Sequence, residues 1–340
     1  MTTRVGELTL RVPRDRDGEF STELFERFQR NERALVVTLM EIVTNGVSTR
    51  RVKNITDELC GRQFSKSTVS RLAQNIDELV DKWCNRPLDR HRYPVVLIDA
   101  MQIKVRRNGA VRPTSALIAV GINEEGMREI LGVQIANSES EQSWQDYFDW
   151  LKDRGLTGVE VVVSDAHSGL VSALHRCFQG ARWQRCQVHL KRNLKDKVPA
   201  SCWEEFNEAL DEVFKADDRA EARRAFNDLA AQFEDRAGRA VQLLEGTLED
   251  AICMLAFPGK YRRHLRTTNM IERLIREVRR REKVISIFPN DQSAWRLIGA
   301  YLMEQHEEWS TGRKYLDMTD FYRAISQGGG SDDAMNVAAE

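Results

Sequence analysis

The sequence predicts an α/β fold: a sheet of short apolar strands alternating with amphipathic helices, preceded by one helical segment and interrupted by another. Three observations carry this expectation. Apolar spacing is helical from Glu23 to about Trp83, strand-like from Tyr93 to Ile135, and helical again, without strand signals, from Ala200 to Ala256.

The elements follow in order. Arg4 to Gly18 reads as one alternating strand that closes in a Pro and Gly turn, making residues 1–22 a leader. Residues 23–90 form a helical domain, with Leu35, Leu39, Ile42 and Val43 on one stripe and Val69, Leu72, Ile76, Leu79 and Val80 on another. Ser48 and Ser65 are placed to cap helices near Thr49–Cys60 and Lys66–Asp81, separated by a turn at Gly61. Two helices so joined resemble a helix-turn-helix, in which Lys66, Ser67, Thr68 and Arg71 would meet bases or phosphates, although plain helical packing gives the same pattern. After the basic link Arg90-His91-Arg92, the run Tyr93–Ile98 ends at Asp99 as a buried central strand should. Strands are expected near Ile103–Arg106, Ser115–Ile122 and Arg128–Ile135, with a turn at Asn123–Gly126. A helix near Gln142–Arg154 carries Trp144, Tyr147, Phe148 and Leu151 on its stripe, and Val159–Val163 runs straight into Ser164-Asp165.

Three antiparallel strands, a helix and a further strand match the start of a ribonuclease H-like fold, which places the first part of that core at 91–199. Residues 200–258 then read as an all-helical insertion. The core resumes over 259–327 with a helix near Thr268–Lys283, Pro289 and a helical stretch around Ala294–Trp309, and the small polar residues 328–340 are expected to be disordered.

Composition excludes several classes. The 340 residues suffice for a full core. Six scattered cysteines, with no CxxC pair, argue against a disulfide framework and for a reducing cytoplasm, in this case near the nucleoid. No apolar run approaches the roughly 20 residues needed to span a bilayer. Overall charge is balanced, with 51 Lys and Arg against 52 Asp and Glu, but its distribution is uneven. Gly259–Lys283 holds ten Lys or Arg against three Glu, while 200–256 holds fourteen acids against six bases. A basic run is often only a solvated helix face; here it accompanies candidate catalytic acids.

Asp99 and Asp165 each follow an apolar strand directly, so both carboxylates are expected at strand ends. Two-metal phosphoryl transfer needs such rigid oxygen ligands, holding cations about 4 Å apart to activate the attacking oxygen and stabilise the leaving one. A single Asp there can equally cap a turn. The third carboxylate should come from the basic helix, whose apolar face is Ile271, Leu274, Ile275 and Val278. Glu272 and Glu277 flank that face on opposite sides, and each could simply pair with the Arg four residues on. Asn269, Arg276 and Arg279 are assigned to the Glu272 flank, where they could grip a scissile phosphate.

Four strings now become specific: Leu97-Ile-Asp-Ala-Met-Gln-Ile-Lys-Val-Arg106, Val163-Ser-Asp-Ala-His-Ser-Gly169, Arg185-Cys-Gln-Val-His-Leu-Lys-Arg-Asn193, and Arg266 to Arg281 around Asn-Met-Ile-Glu-Arg. In order and spacing they resemble the core blocks of Mutator-type transposases of bacterial insertion sequences, over nearly the whole chain. The resemblance implies a DDE triad in a ribonuclease H-like core with a helical insertion before the Glu. By motif, Asp99, Asp165 and Glu272 are the triad, holding two Mg2+ or Mn2+ ions. Lys104 and Arg106, in the first block, join Lys66, Arg71, Asn269, Arg276 and Arg279 as candidate DNA contacts. The resemblance also makes Cys186 and His189 a Cys-x-x-His signature with a supporting role beside the carboxylates, and His167 is similarly placed. With Cys177 and Cys202 the spacings fit no common zinc motif. Trp203 and Phe206 are weaker candidates for stacking on unpaired bases.

Two departures stand out: Ile275 occupies a position where the family usually has Asn, and family members generally carry more sequence ahead of the opening strand. Part of the DNA-binding region is therefore expected to be missing. The expected activity is cleavage at element ends followed by attack of the freed 3′ hydroxyl on target DNA, by a homodimer or larger assembly. The alternatives are a nuclease without strand transfer and an inactive derivative that binds element ends as a repressor.

Overall fold

The computed structural model describes residues 76–328, with side chains to 325, together with the pairs 2–3 and 6–7. At the start, Thr2–Thr3 pairs antiparallel with Gly6–Glu7; apart from Gly6 and Glu7, the strand expected from Arg4 to Gly18 lies outside the described residues. Most of the proposed helix-turn-helix, including Lys66 and Arg71, lies outside the described residues, as does the tail beyond 328. Helix α1, described over 76–84, buries Ile76 and Val80 but leaves Leu79 44% exposed, so that part of the expected stripe faces outward.

The centre is a mixed five-stranded sheet of β1 (Val95–Arg107), β2 (Ala110–Ile122), β3 (Arg128–Ala136), β4 (Val161–Ser164) and β5 (Arg182–Arg185), in the order β3-β2-β1-β4-β5. β1, β2 and β3 pair antiparallel, whereas β4 lies parallel to β1 and β5 parallel to β4. The expected separate strand at Ile103–Arg106 is the second half of β1. The reason lies in the next two residues: Asn108 and Gly109 both take positive φ, 50° and 80°, and close a two-residue hairpin that keeps β1 and β2 paired from Arg107↔Ala110 back to Val95↔Ile122.

Alternation along the strands gives the sheet two covered faces. On one, Val96, Ile98, Leu117 and Leu131 pack against α2 (Glu141–Asp153) and α3 (Ser168–Cys177). Ser140 caps α2 by accepting the Ser143 N–H at 3.2 Å, and Trp144, Tyr147, Phe148 and Leu151 are fully buried. Gly169 allows the start of α3 to cross the start of α2, since a Cβ there would meet Glu141 N at 2.7 Å.

The opposite face carries the remaining described helices. Val95, Leu97, Val161 and Val163 merge with α4 (Gln187–Lys195) and with the long acidic helices α5 (Trp203–Lys215) and α6 (Arg219–Glu245) in one apolar cluster. After the one-turn helix α7 (Leu248–Ala251) and α8 (Gly259–Leu265) comes the basic helix α9 (Asn269–Ile285), which lays Ile271, Leu274, Ile275 and Val278 on Met101, Ile103 and Val105. Helix α10 (Asp291–Ser310) packs beside it, capped by Asn290 just after Pro289, and α11 (Thr319–Gly328) follows.

Candidate active site

Asp99 does not end its strand. It sits inside β1 opposite Ile118, at the point where the parallel partner β4 runs out. The pairing with β4 stops at Leu97↔Val163, and two more steps in the same register set Asp99 level with Asp165, the first residue after β4. Both aspartates share the odd-numbered parity of Leu97 and Val163, so alternation turns them toward the face that α4 and α9 cover. Each is fixed locally: Asp99 Oδ1 accepts the Ala100 N–H at 2.8 Å, and Asp165 Oδ1 accepts the His167 N–H at 3.2 Å.

Glu272 reaches the same place from α9. Three contacts stitch the elements together: Cys186 N donates to Ser164 O at 2.7 Å, Gln187 N donates to Arg266 O at 3.0 Å, and the Thr268 N–H and hydroxyl donate to Cys186 Sγ at 3.4 and 3.2 Å. The end of β4, the start of α4 and the start of α9 therefore form one junction. From it, Glu272 Oε1 lies 3.5 Å from His189 Nε2 and Glu272 Oε2 lies 3.6 Å from Arg192 Nη2.

The electrostatics report this convergence. Burial pushes the Asp99 carboxyl up to about 7, the Ala100 N–H pulls it back, Asp165 and Glu272 raise it and His189 lowers it. His189 is raised to about 9, first by contact with the Cys186 sulfur and further by Asp99 and Glu272, against a lowering by burial. Cys186 is lowered despite its burial, because His189 and Thr268 stabilise the thiolate. Three acids from three elements thus share one low-dielectric corner, with His189 and Arg192 beside Glu272. Asp99, Asp165 and Glu272 offer the hard oxygens that a divalent cation requires.

The rival glutamate lies elsewhere. Glu277 pairs with Arg280 and Arg281 and lines a separate cavity of about 320 Å³ with Arg128, Arg273, Tyr301 and Trp309. Asn269 lines that cavity too, so it belongs to the Glu277 side rather than the Glu272 flank; at the first residue of α9 it sits on the outer face, where a small rotation decides the side. Arg276 and Arg279 are exposed on α9. Lys104 and Arg106 are exposed as well, but alternation along β1 points them away from the face shared by Asp99, Met101 and Ile103. Phe206 is fully buried in the apolar cluster, with Trp203 stacked on it and Lys195 over Trp203, which removes Phe206 as a platform for bases.

One residue was missed. Glu139 approaches His167, its Oε1 3.8 Å from Nδ1, and its carboxyl is raised by burial and by Asp165 while His167 lowers it. Its signal was an acid just after β3, whose last residue, Ala136, pairs with Ser115, itself paired with Gln102, three residues beyond Asp99 on β1. Cys177 and Cys202 stand apart from the Cys186–His189–Glu272 group, the latter against Arg236.

Comparison with known proteins shows the family to which the chain belongs. The family model described as transposase, Mutator family, matches residues 1–312. The chain is 47% identical over 319 residues to the transposase for insertion sequence element IS256 in transposon Tn4001 of Staphylococcus aureus, covering 93% of this chain and 82% of that one. It is 45% identical over 323 residues to the transposase for element ISRM5 of Rhizobium meliloti, covering 94% and 80%. Against the transposase for element IS1081 of Mycobacterium tuberculosis it is 38% identical over 323 residues, covering 95% and 78%. This chain therefore belongs to the Mutator family of transposases.

Proposed function

We propose that this chain is the transposase of an insertion sequence, cutting DNA at the element's ends and joining the freed 3′ hydroxyl to target DNA, with Asp99, Asp165 and Glu272 as the DDE triad of a ribonuclease H-like core. The single observation that carries the reading is the meeting of these carboxylates from β1, the end of β4 and α9, with Asp99 raised to about 7. Strand order β3-β2-β1-β4-β5, with the antiparallel strands first and the parallel ones after, supports the ribonuclease H-like assignment.

The three carboxylates would hold two Mg2+ or Mn2+ ions, which supply Lewis acidity at the attacking and leaving oxygens of an in-line displacement. The protein's own part is rigidity and charge. β1 and β4 fix the aspartates by backbone pairing, Thr268 and Cys186 anchor the start of the helix bearing Glu272, and the exposed Arg276 and Arg279 hold the phosphate backbone alongside. Water and a DNA 3′ hydroxyl are both oxygen nucleophiles, so one site serves hydrolysis and joining.

Joining two ends calls for a dimer or larger assembly on DNA. Among the described residues no helix is long and apolar enough to cross a membrane, and the proposed setting is the cytoplasm, at the nucleoid. The test incubates the purified protein with duplexes carrying the element's terminal repeats in Mg2+. Nicks at the repeat boundary and a joined product are expected. Cutting without joined product would indicate a plain nuclease, and end binding without cutting a repressor.

A further inference from the structure

We propose that Cys186, His189 and Glu272 form a second cation site, suited to a thiophilic divalent ion of the zinc class, whose occupation withdraws Glu272 from Asp99 and Asp165. Cys186 caps α4 and His189 lies three residues on, a spacing that puts both on one face of the helix start. Glu272 meets them from α9, and one sulfur, one imidazole nitrogen and one carboxylate oxygen all lie within 4.8 Å of one another.

Around a tetrahedral zinc ion with bonds of about 2.0–2.3 Å, ligand atoms sit roughly 3.3–3.8 Å apart. His189 Nε2 and Glu272 Oε1 are already 3.5 Å apart. No separation exceeds 4.8 Å, so the widest has to close by at most about 1 Å to reach the upper end of that range, a side-chain adjustment rather than a backbone movement.

The surroundings favour an ion there. The Thr268 N–H and hydroxyl both point at Cys186 Sγ, the kind of support that outer donors give to a metal-bound thiolate. Cys186 is closed to solvent, while the His189 and Glu272 side chains keep 24% and 16% exposure, which leaves a route in from solvent. A sulfur, nitrogen and oxygen donor set selects zinc over magnesium, whose preference for hard oxygens is met by the aspartates. The two sites therefore compete for one carboxylate. The consequence for catalysis rests on the transposase reading; the site itself does not.

Co2+ is the probe. Titrated into the reduced full-length protein, it should produce a thiolate charge-transfer band that saturates at one ion per chain and disappears when Zn2+ is added. Cys186→Ser should abolish the band, His189→Ala should weaken Co2+ binding by about tenfold or more, and Cys177→Ser should change neither. A band that survives Cys186→Ser, or unaltered affinity in His189→Ala, overturns the site; should Cys186→Ser fail to fold by circular dichroism, His189→Ala decides. In a second arm, Zn2+ added to end cleavage in Mg2+ should inhibit, extra Mg2+ should restore cutting, and the fractional inhibition should be smaller in His189→Ala. Zinc without effect on cutting overturns the competition. Absence of cutting before zinc is added counts instead against the transposase reading, and the cobalt titration still decides the site.

Discussion

Glu272 and Glu277 lie on one helix, each about 110° from the centre of its apolar stripe, yet they end in different chemistry. Glu272 is 16% exposed, meets His189 and Arg192, and contributes to raising Asp99. Glu277 is 42% exposed and is held by Arg280 and Arg281 from its own helix. The pattern along a helix determines which positions flank the buried stripe, but not what lies across from each flank. Here that is decided by the junction of Ser164, Cys186, Gln187, Arg266 and Thr268, which ties one side of α9 to the ends of β4 and α4.

The comparison predicts a descending series of effects. The largest belongs to the corner that Glu272 joins. Asp99→Asn or Asp165→Asn should lower end cleavage by about 10³-fold or more, equivalent to losing roughly 4 kcal/mol of transition-state stabilisation by the metal pair. DNA affinity, read by gel shift, should hold or rise because negative charge has been removed. Cleavage near the wild-type rate in either mutant would remove the aspartates from the chemistry.

The next effect is set by pH. Asp99 is raised to about 7 and must lose its proton to hold a cation, so Mg2+ affinity should fall by about tenfold per pH unit below 7 and level off above it. For the metal-free fold the sign is opposite. A raised carboxyl gives stability that is fully present below its unfolded value near 4 and is lost as pH rises through 7. Wild type minus Asp99→Asn, in metal titrations and thermal melts from pH 5 to 8, reads both trends, with His189 raised to about 9 and so titrating mostly above this window. A flat difference would mean that Asp99 ionises at its ordinary pH and that the corner is more open than described.

A smaller, salt-sensitive effect belongs to the outer face of α9. Changing Arg276 and Arg279 together to Ala should reduce the slope of log affinity against log salt by about two units, since each lost phosphate contact removes nearly one. An unchanged slope would make this face merely solvated and leave the carboxylate corner as the distinguishing feature of α9.

How much of this was legible in the sequence differs by element. Asp165 was legible because Val161–Val163 is a short buried parallel strand that ends just before it. Asp99 was legible as an acid beside a buried strand but not as a residue inside one: β4 ends while β2 continues, and strand pairing with a distant segment leaves little local trace apart from Asn108-Gly109. The helix α9 and its apolar face were legible from period alone. The side taken by Asn269 was not, because the first residue of a helix has its surroundings set by the preceding loop. Lys104 and Arg106 read as neighbours of Asp99 in sequence, yet strand alternation separates them from it. Glu139 escaped notice because its meaning depends on the approach of His167 from another loop.

The smallest expected effect and the sharpest test come from the same pair of mutants. Glu277→Gln should cost well under about 1 kcal/mol, since it removes only an exposed intrahelical ion pair. Glu272→Gln keeps shape and hydrogen bonding but loses the charge that binds a hard cation. The decisive measurement is cleavage of an end-containing duplex in Mg2+ by the two proteins side by side, with thermal melts to exclude misfolding. The account predicts that Glu272→Gln is inactive with little change in melting temperature while Glu277→Gln cuts at nearly the wild-type rate; an active Glu272→Gln beside an inactive Glu277→Gln would contradict it and move the metal site to the opposite flank of α9.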